Sequence, residues 1–196
     1  MEEYNIEKAY VGDFIGIRGT VKIENGEHIV IGRNHWVAQG FETIGAFLVW
    51  GGVAYTSNTS NTAYNFYGAV NNWNIYIGSD TSTTTTVSRT SLVSPIGTAP
   101  GTAPNTNSYS GAYYSTSTTP ITLSYVATWN AGTVSGTLGE TGLYLYINTY
   151  NLTNGTTATN PGLASRLSVA DGSFTAFTIN TAAALTVTWT VSLVYA

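Results

Sequence analysis

Residues 185–193 alternate without a break: Leu185, Val187, Trp189, Val191 and Leu193 take one parity, Thr186, Thr188, Thr190 and Ser192 the other. Successive side chains of a strand point to opposite faces, so this period of two demands one apolar face and one hydroxyl face. Ile121–Trp129 repeats the pattern, with Ile121, Leu123, Tyr125, Ala127 and Trp129 set against Thr122, Ser124, Val126 and Thr128. Leu143–Ile147 is apolar on both parities, as a central strand requires. Trp73–Ile77 reads as a strand ending at Gly78-Ser79-Asp80, and Phe174–Ile179 as another. Short strands divided by turn residues predict an all-β chain, an antiparallel β-sandwich of jelly-roll-like form.

Two local signals refine this. Ile17–Ile23 alternates, then Glu24-Asn25-Gly26-Glu27 leads into His28–Ile31. Asn-Gly between such runs predicts a hairpin with a type I′ turn, which needs positive φ at both central residues. Val37, Phe41, Ile44 and Leu48 lie four, three and four residues apart, the stripe of one short helix near residues 35–49. Asn34 would cap that helix and Gly51-Gly52 would stop it. The Thr81–Thr86 tract reads as a loop or an edge. Gly-Thr-Ala-Pro occurs twice over residues 97–104, and this stretch, continued to Thr119, predicts a long exposed loop. Four of the five prolines fall at 95, 100, 104 and 120, so strands flank the region.

Charge narrows the function. Of sixteen charged side chains only Asp80, Arg89, Glu140, Arg166 and Asp171 follow Glu42. Ordinary domains are about one-quarter charged, and charge keeps monomers apart. A surface of hydroxyls, amides and tyrosines suits contact with identical neighbours. Six Lys plus Arg in 196 residues supply no basic stripe for phosphates, which argues against nucleic acid. Cysteine is absent, which removes disulfides, thiolate metal sites and cysteine nucleophiles. The chain opens Met1-Glu2-Glu3-Tyr4-Asn5, which lacks the basic and apolar regions of a secretory leader. No stretch has the 18 or so apolar residues of a membrane span. Release by lysis or inside a particle is the expectation; removal of a leader is the competing one. The length fits a single sandwich domain over 1–196, with residues 1–10 an extended arm that docks on a neighbour or a solvated terminus.

Catalytic constellations are thin. His28 opens a hairpin strand and His35 falls in the first turn of the expected helix. A carboxylate pair for glycoside hydrolysis would have to come from Asp80, Glu140 and Asp171, and no motif unites two of them. Asp80 and Asp171 adjoin glycines and read as turn residues. Glu140 precedes the most apolar strand, and a carboxylate entering a core needs a partner. Arg166 is preferred over Arg89, giving a structural Glu140–Arg166 ion pair. No catalytic, cofactor or metal residue is assigned.

Asn58-Thr59-Ser60, Asn151-Leu152-Thr153 and Asn154-Gly155-Thr156 fit the N-glycosylation pattern, which chance supplies readily in a chain this rich in Asn and Thr. Tyr64, Phe66, Tyr67, Tyr109, Tyr113 and Tyr114 cluster in polar loops. They are candidates for subunit contacts or for stacking on surface glycans.

The order of segments carries a resemblance. Asn34 through Leu48 is followed by Ile75-Tyr76-Ile77-Gly78-Ser79-Asp80, by a Thr-rich stretch, and by Arg89-Thr90-Ser91-Leu92. Leu138-Gly139-Glu140-Thr141-Gly142-Leu143-Tyr144 comes next, then Leu163-Ala164-Ser165-Arg166-Leu167, and Leu185 through Val191 closes the series. This succession resembles small virion structural proteins of tailed phages and archaeal viruses. It departs from their pattern at Asp80, where they carry a second glycine, and in the Gly-Thr-Ala-Pro loop. The resemblance implies a non-enzymatic β-sandwich subunit of a virus particle, made in the host cytoplasm and located in the virion. As a capsid, turret, decoration or tail-fibre component, it would contact copies of itself and other virion proteins. Two further classes stay open: a cell-surface filament or sheath subunit assembled by strand donation, and a carbohydrate-binding module.

Overall fold

The alternating segments become strands of two antiparallel sheets. The computed structural model describes residues 15–37, 40, 54–56, 63–66, 72–111, 121–151 and 157–195. In chain order the strands are β1 (Ile15–Asn25), β2 (His28–Arg33), β3 (His35–Trp36), β4 (Ala54–Thr56), β5 (Ala63–Phe66), β6 (Asn72–Gly78) and β7 (Thr106–Gly111). They continue with β8 (Ile121–Trp129), β9 (Thr137–Leu138), β10 (Glu140–Asn151), β11 (Thr157–Ser168), β12 (Phe177–Thr178) and β13 (Leu185–Tyr195). Sheet A runs β2-β1-β13-β8-β7; sheet B runs β3-β11-β10-β5-β4, with β6 also on β10; β9 and β12 form a small pair.

The inner faces make the core. Cross-strand partners share a face, so the rows Val21–Trp189–Tyr125, Ile23–Val187–Ala127 and Asn25–Leu185–Trp129 line the inside of sheet A. They meet Ile75, Ile77, Leu143 and Leu167 of sheet B in one buried cluster, with Leu138 and Ile179. Trp129 and Trp189 are its largest members, both fully buried. Each buried Ile, Leu or Val of the cluster contributes about 1.5–3 kcal/mol through removal from water. A smaller cluster of Val37, Tyr76, Leu92, Tyr144 and Leu163 lies on the other face of sheet B. The apolar character of β10 on both parities follows from this: Leu143 enters one cluster and Tyr144 the other.

Four expectations need correction. The hairpin forms, but its two central residues are Gly26 and Glu27, and Asn25 pairs with His28. Gly26 has φ +63 and no described non-glycine residue has positive φ, the dihedral pattern of a type II′ turn. Asn25 is withdrawn from the turn because its buried amide is used elsewhere. Its Nδ2 donates to the carbonyls of Asn180 (3.2 Å), Ala183 (3.4 Å) and Ala184 (3.2 Å), and its Oδ1 accepts from Asn180 N (2.6 Å).

The expected helix near 35–49 begins instead as strand: Trp36 and His35 pair with Ser165 and Arg166. Val37 extends that contact, donating its N–H to Ala164 O (3.1 Å), so backbone pairing with β11 takes the first residues of the expected helix. Asn34 is no cap; its Nδ2 donates to Ser165 Oγ. Of residues 38–49 only Gly40, helical in backbone, is among the described residues; Phe41, Ile44 and Leu48 lie outside them.

The long loop is interrupted by β7, whose Thr106–Gly111 pairs with Thr128–Leu123 of β8. Residues 112–119 lie outside the described residues. The strand expected over Phe174–Ile179 shrinks to β12. A 3-10 turn at Val169–Asp171, ended by Gly172 in the left-handed region, leaves only Phe177 and Thr178 to pair, with Leu138 and Thr137.

Candidate functional site

Glu140 opens β10 and Arg166 lies near the end of β11, where register places Gly142 opposite Arg166 and Gly78 opposite Glu140. These positions share the face of sheet B that turns away from the main core. Gly78 is required there: a Cβ would sit 2.5 Å from Glu140 Oε1 and 2.7 Å from Ser94 O. The slot is filled by the loop of residues 79–96, which returns to the sheet when Ile96 N donates to Ile77 O (2.9 Å).

The structure brings Glu140 and Arg166 together, both fully buried. Arg166 Nε donates to Glu140 Oε2 at 2.8 Å and Nη2 reaches the same oxygen at 2.7 Å. Nη2 also donates to Asp80 Oδ2 at 3.0 Å, and Nη1 donates to Thr83 O (2.8 Å) and Thr85 Oγ1 (3.1 Å). The Thr85 hydroxyl donates onward to Asp171 Oδ2, while Thr85 N donates to Asp171 Oδ1 at 2.7 Å. Of the three acids of residues 43–196, Glu140 and Asp80 touch the guanidinium and Asp171 is joined to it through Thr85. Sequence reasoning paired Glu140 with Arg166 but left Asp80 and Asp171 as turn residues. Both do sit at turns, and both also anchor this loop.

Charge here is used as fastening. Glu140 additionally accepts from Val93 N (3.2 Å) and Ser94 N (2.7 Å), so both its oxygens face loop or guanidinium donors. Leu92 N donates to Tyr144 Oη at 2.7 Å, and the Leu92 side chain joins the smaller cluster. Burial pushes the Asp80 carboxyl up, but donors at Thr83 N, Ser82 Oγ, Ser82 N and Thr83 Oγ1 outweigh it and hold the group below its ordinary value. Arginine suits the role because its planar fork binds several acceptors at once and stays charged when buried.

A second feature is the outer face of sheet A. Register lines up Ile29–Glu24–Thr186–Thr128–Thr106, then Ile31–Lys22–Thr188–Val126–Ser108, then Arg33–Thr20–Thr190–Ser124. Lys22 and Glu24 pair at 2.8 Å. Over Thr186–Ser192 of β13 and Thr122–Thr128 of β8 the face is Thr and Ser with Val126. Hydroxyls bond across it at Thr128–Thr186 (3.2 Å), Ser124–Thr190 (3.4 Å) and Thr122–Ser192 (3.2 Å). At its margin Ile29 is 57% and Ile31 69% exposed, the largest exposures among the described large apolar residues alongside Val87. Sequence reasoning passed over both. The two-residue loop, which sets Ile29 against Glu24 and Ile31 against Lys22, was the available signal.

The remaining candidates scatter. Tyr64 and Phe66 fall in β5 and Tyr109 in β7, so these three are on strands where loops were expected. Their backbones pair with Asn151, Thr149 and Tyr125, which is what draws them into the sheets. Tyr67, Tyr113 and Tyr114 lie outside the described residues, as do residues 1–10, Asn58 and Asn154. His28 is exposed, its ring 4.1 Å from that of Phe177. His35 is an exposed strand residue whose carbonyl accepts from Ser165 Oγ at 2.8 Å. Among the described residues no group of three His, Cys, Asp or Glu side chains is placed to hold a metal ion. No helix among them is long and apolar enough to cross a membrane. Comparison with protein-family models, curated proteins and solved structures found no match for this chain.

Proposed function

We propose that the chain is a non-enzymatic structural subunit of a virus particle, working by contact with copies of itself and with other virion proteins. The observation that carries this reading is the outer face of sheet A. Across Thr186–Ser192 of β13 and Thr122–Thr128 of β8 its positions are hydroxyl residues and Val126, while the charges described on it lie at the margin, in Arg33 and the mutually paired Lys22 and Glu24. Interface centres are depleted in charge because an ion stripped of water without a partner is costly. The virion setting rests on the order of segments that resembles small virion proteins.

Light scattering and electron microscopy of the purified chain at rising concentration test the reading. Rings, tubes or spikes are the expected products, and a monomer at every concentration overturns it. Mass spectrometry of particles purified from the source culture tests the setting; absence of the chain from them overturns that part.

A further inference from the structure

The margin of sheet A at β2 is self-complementary. Among the described residues no strand pairs with its outer side. Asn25 and His28 close a two-residue loop, and the residues closing such a loop exchange both backbone bonds. Alternation then points the N–H and C=O groups of His28, Val30 and Gly32 at β1, and those of Ile29, Ile31 and Arg33 outward. The Arg33 carbonyl is consistent with this phase: it accepts from Ser173 Oγ at 3.1 Å, so the outer edge is covered at its Arg33 end and open at Ile29 and Ile31. Ile29 and Ile31 thus combine outward backbone groups with strongly exposed side chains. Edge strands of this kind are normally blunted by charge or proline, and neither interrupts residues 28–32.

We propose that two copies of the chain pair through the outer edges of β2, antiparallel across a two-fold axis at Val30. Each copy's Ile29 then faces Ile31 of the other, and each copy's Glu27 faces Arg33 of the other. The register is selected by three requirements met together. Only outward residues can exchange backbone bonds, so Ile29, Ile31 and Arg33 must meet one another. An axis at Val30 satisfies this at Ile29 and Ile31 and sets apolar against apolar. It also sets the exposed Glu27 against the exposed Arg33, opposite charges at both ends of the short ribbon. An axis at Ile31 would instead place Ile29 against Arg33. The self-matching sequence is what identifies the partner as a second copy. Pairing would join two five-stranded sheets edge to edge and align their hydroxyl faces. The inference rests on the self-association reading above and names its contact.

Sedimentation or light scattering of the full chain measures it. Arg33→Glu sets like charges opposite at both ends and is expected to raise the dimer Kd about tenfold. Adding Glu27→Arg reverses both charges and is expected to return Kd to within about threefold of the starting chain. Ile31→Lys is expected to raise Kd about tenfold or more through the two symmetric apolar pairs. Should that variant fail to fold, the charge reversal and its rescue still decide. The chain lacks cysteine, so mixing Ile29→Cys with Ile31→Cys chains reports register: opposite residues of a bonded pair lie within disulfide reach. The mixture is expected to cross-link and each variant alone is not. Efficient self-linking of Ile31→Cys would overturn the axis. Association unchanged by Arg33→Glu and Ile31→Lys overturns the β2 contact and leaves self-association standing. A chain that never associates overturns both.

Discussion

Arg166 and Asp80 lie 86 residues apart in sequence and 3.0 Å apart in space, with the guanidinium of one fully buried beneath the loop that the other begins. Through this contact a charge-poor chain spends its scarce ions on holding one segment to one sheet. The stability of residues 79–96 should therefore follow the state of that guanidinium.

Arg166→Leu strands two carboxylates, Glu140 and Asp80, against a neutral neighbour. Removing one partner of a buried pair costs about 3–5 kcal/mol. Urea unfolding of the variant is expected to show a loss of that order. Arg166→Lys should recover only part of it, because one ammonium cannot replace contacts to Glu140, Asp80, Thr83 and Thr85 together.

Glu140→Gln keeps the shape of the side chain and removes its charge. Arg166 retains Asp80, so the expected loss is smaller, about 1–3 kcal/mol. A melting temperature equal to that of the unaltered chain would show that the Glu140–Arg166 contact does not stabilise the fold.

Acid should loosen the loop through Asp80. Its folded titration point lies below the unfolded one, which is about 3.9 for aspartate. Protons therefore bind the unfolded chain more readily, and stability present above that value falls as pH drops through the lower, folded one. Denaturation midpoints taken from about pH 6 down to about pH 2 are expected to fall on the acid side. Asp80→Asn should flatten that limb while lowering stability near neutrality.

Asn25→Ala removes the amide that satisfies three carbonyls and one N–H in the turn of residues 180–184. The expected cost is about 2 kcal/mol in chemical unfolding, the penalty for buried polar groups left without partners. Asn25→Asp should be no better, since a carboxylate cannot donate to those carbonyls.

How much of this was legible depended on the range of the deciding contact. Strands β8 and β13 were readable because the signal is a period of two within each segment, and their mutual register then buries Trp129 and Trp189. The hairpin was readable too, but its turn was displaced by one residue because Asn25 answers to carbonyls 155 and more positions away. The same range effect hid β3, made by pairing with Ser165 and Arg166, and β7, whose polar Thr106-Asn107-Ser108 becomes strand only beside β8. At the buried network, the need of Glu140 for a cation pointed to Arg166. Nothing in Gly78-Ser79-Asp80 or Asp171-Gly172 distinguishes an anchor from an ordinary turn. That difference appears only once the loop has folded over the sheet.

The paired hydroxyls of Thr128 with Thr186, Ser124 with Thr190 and Thr122 with Ser192 have a last implication for covering this wall. Each member already spends part of its bonding capacity on its neighbour, so drying the surface strips fewer water contacts than a field of lone hydroxyls would lose. A threonine wall knitted in this way stays wettable while bare and is cheap to seal.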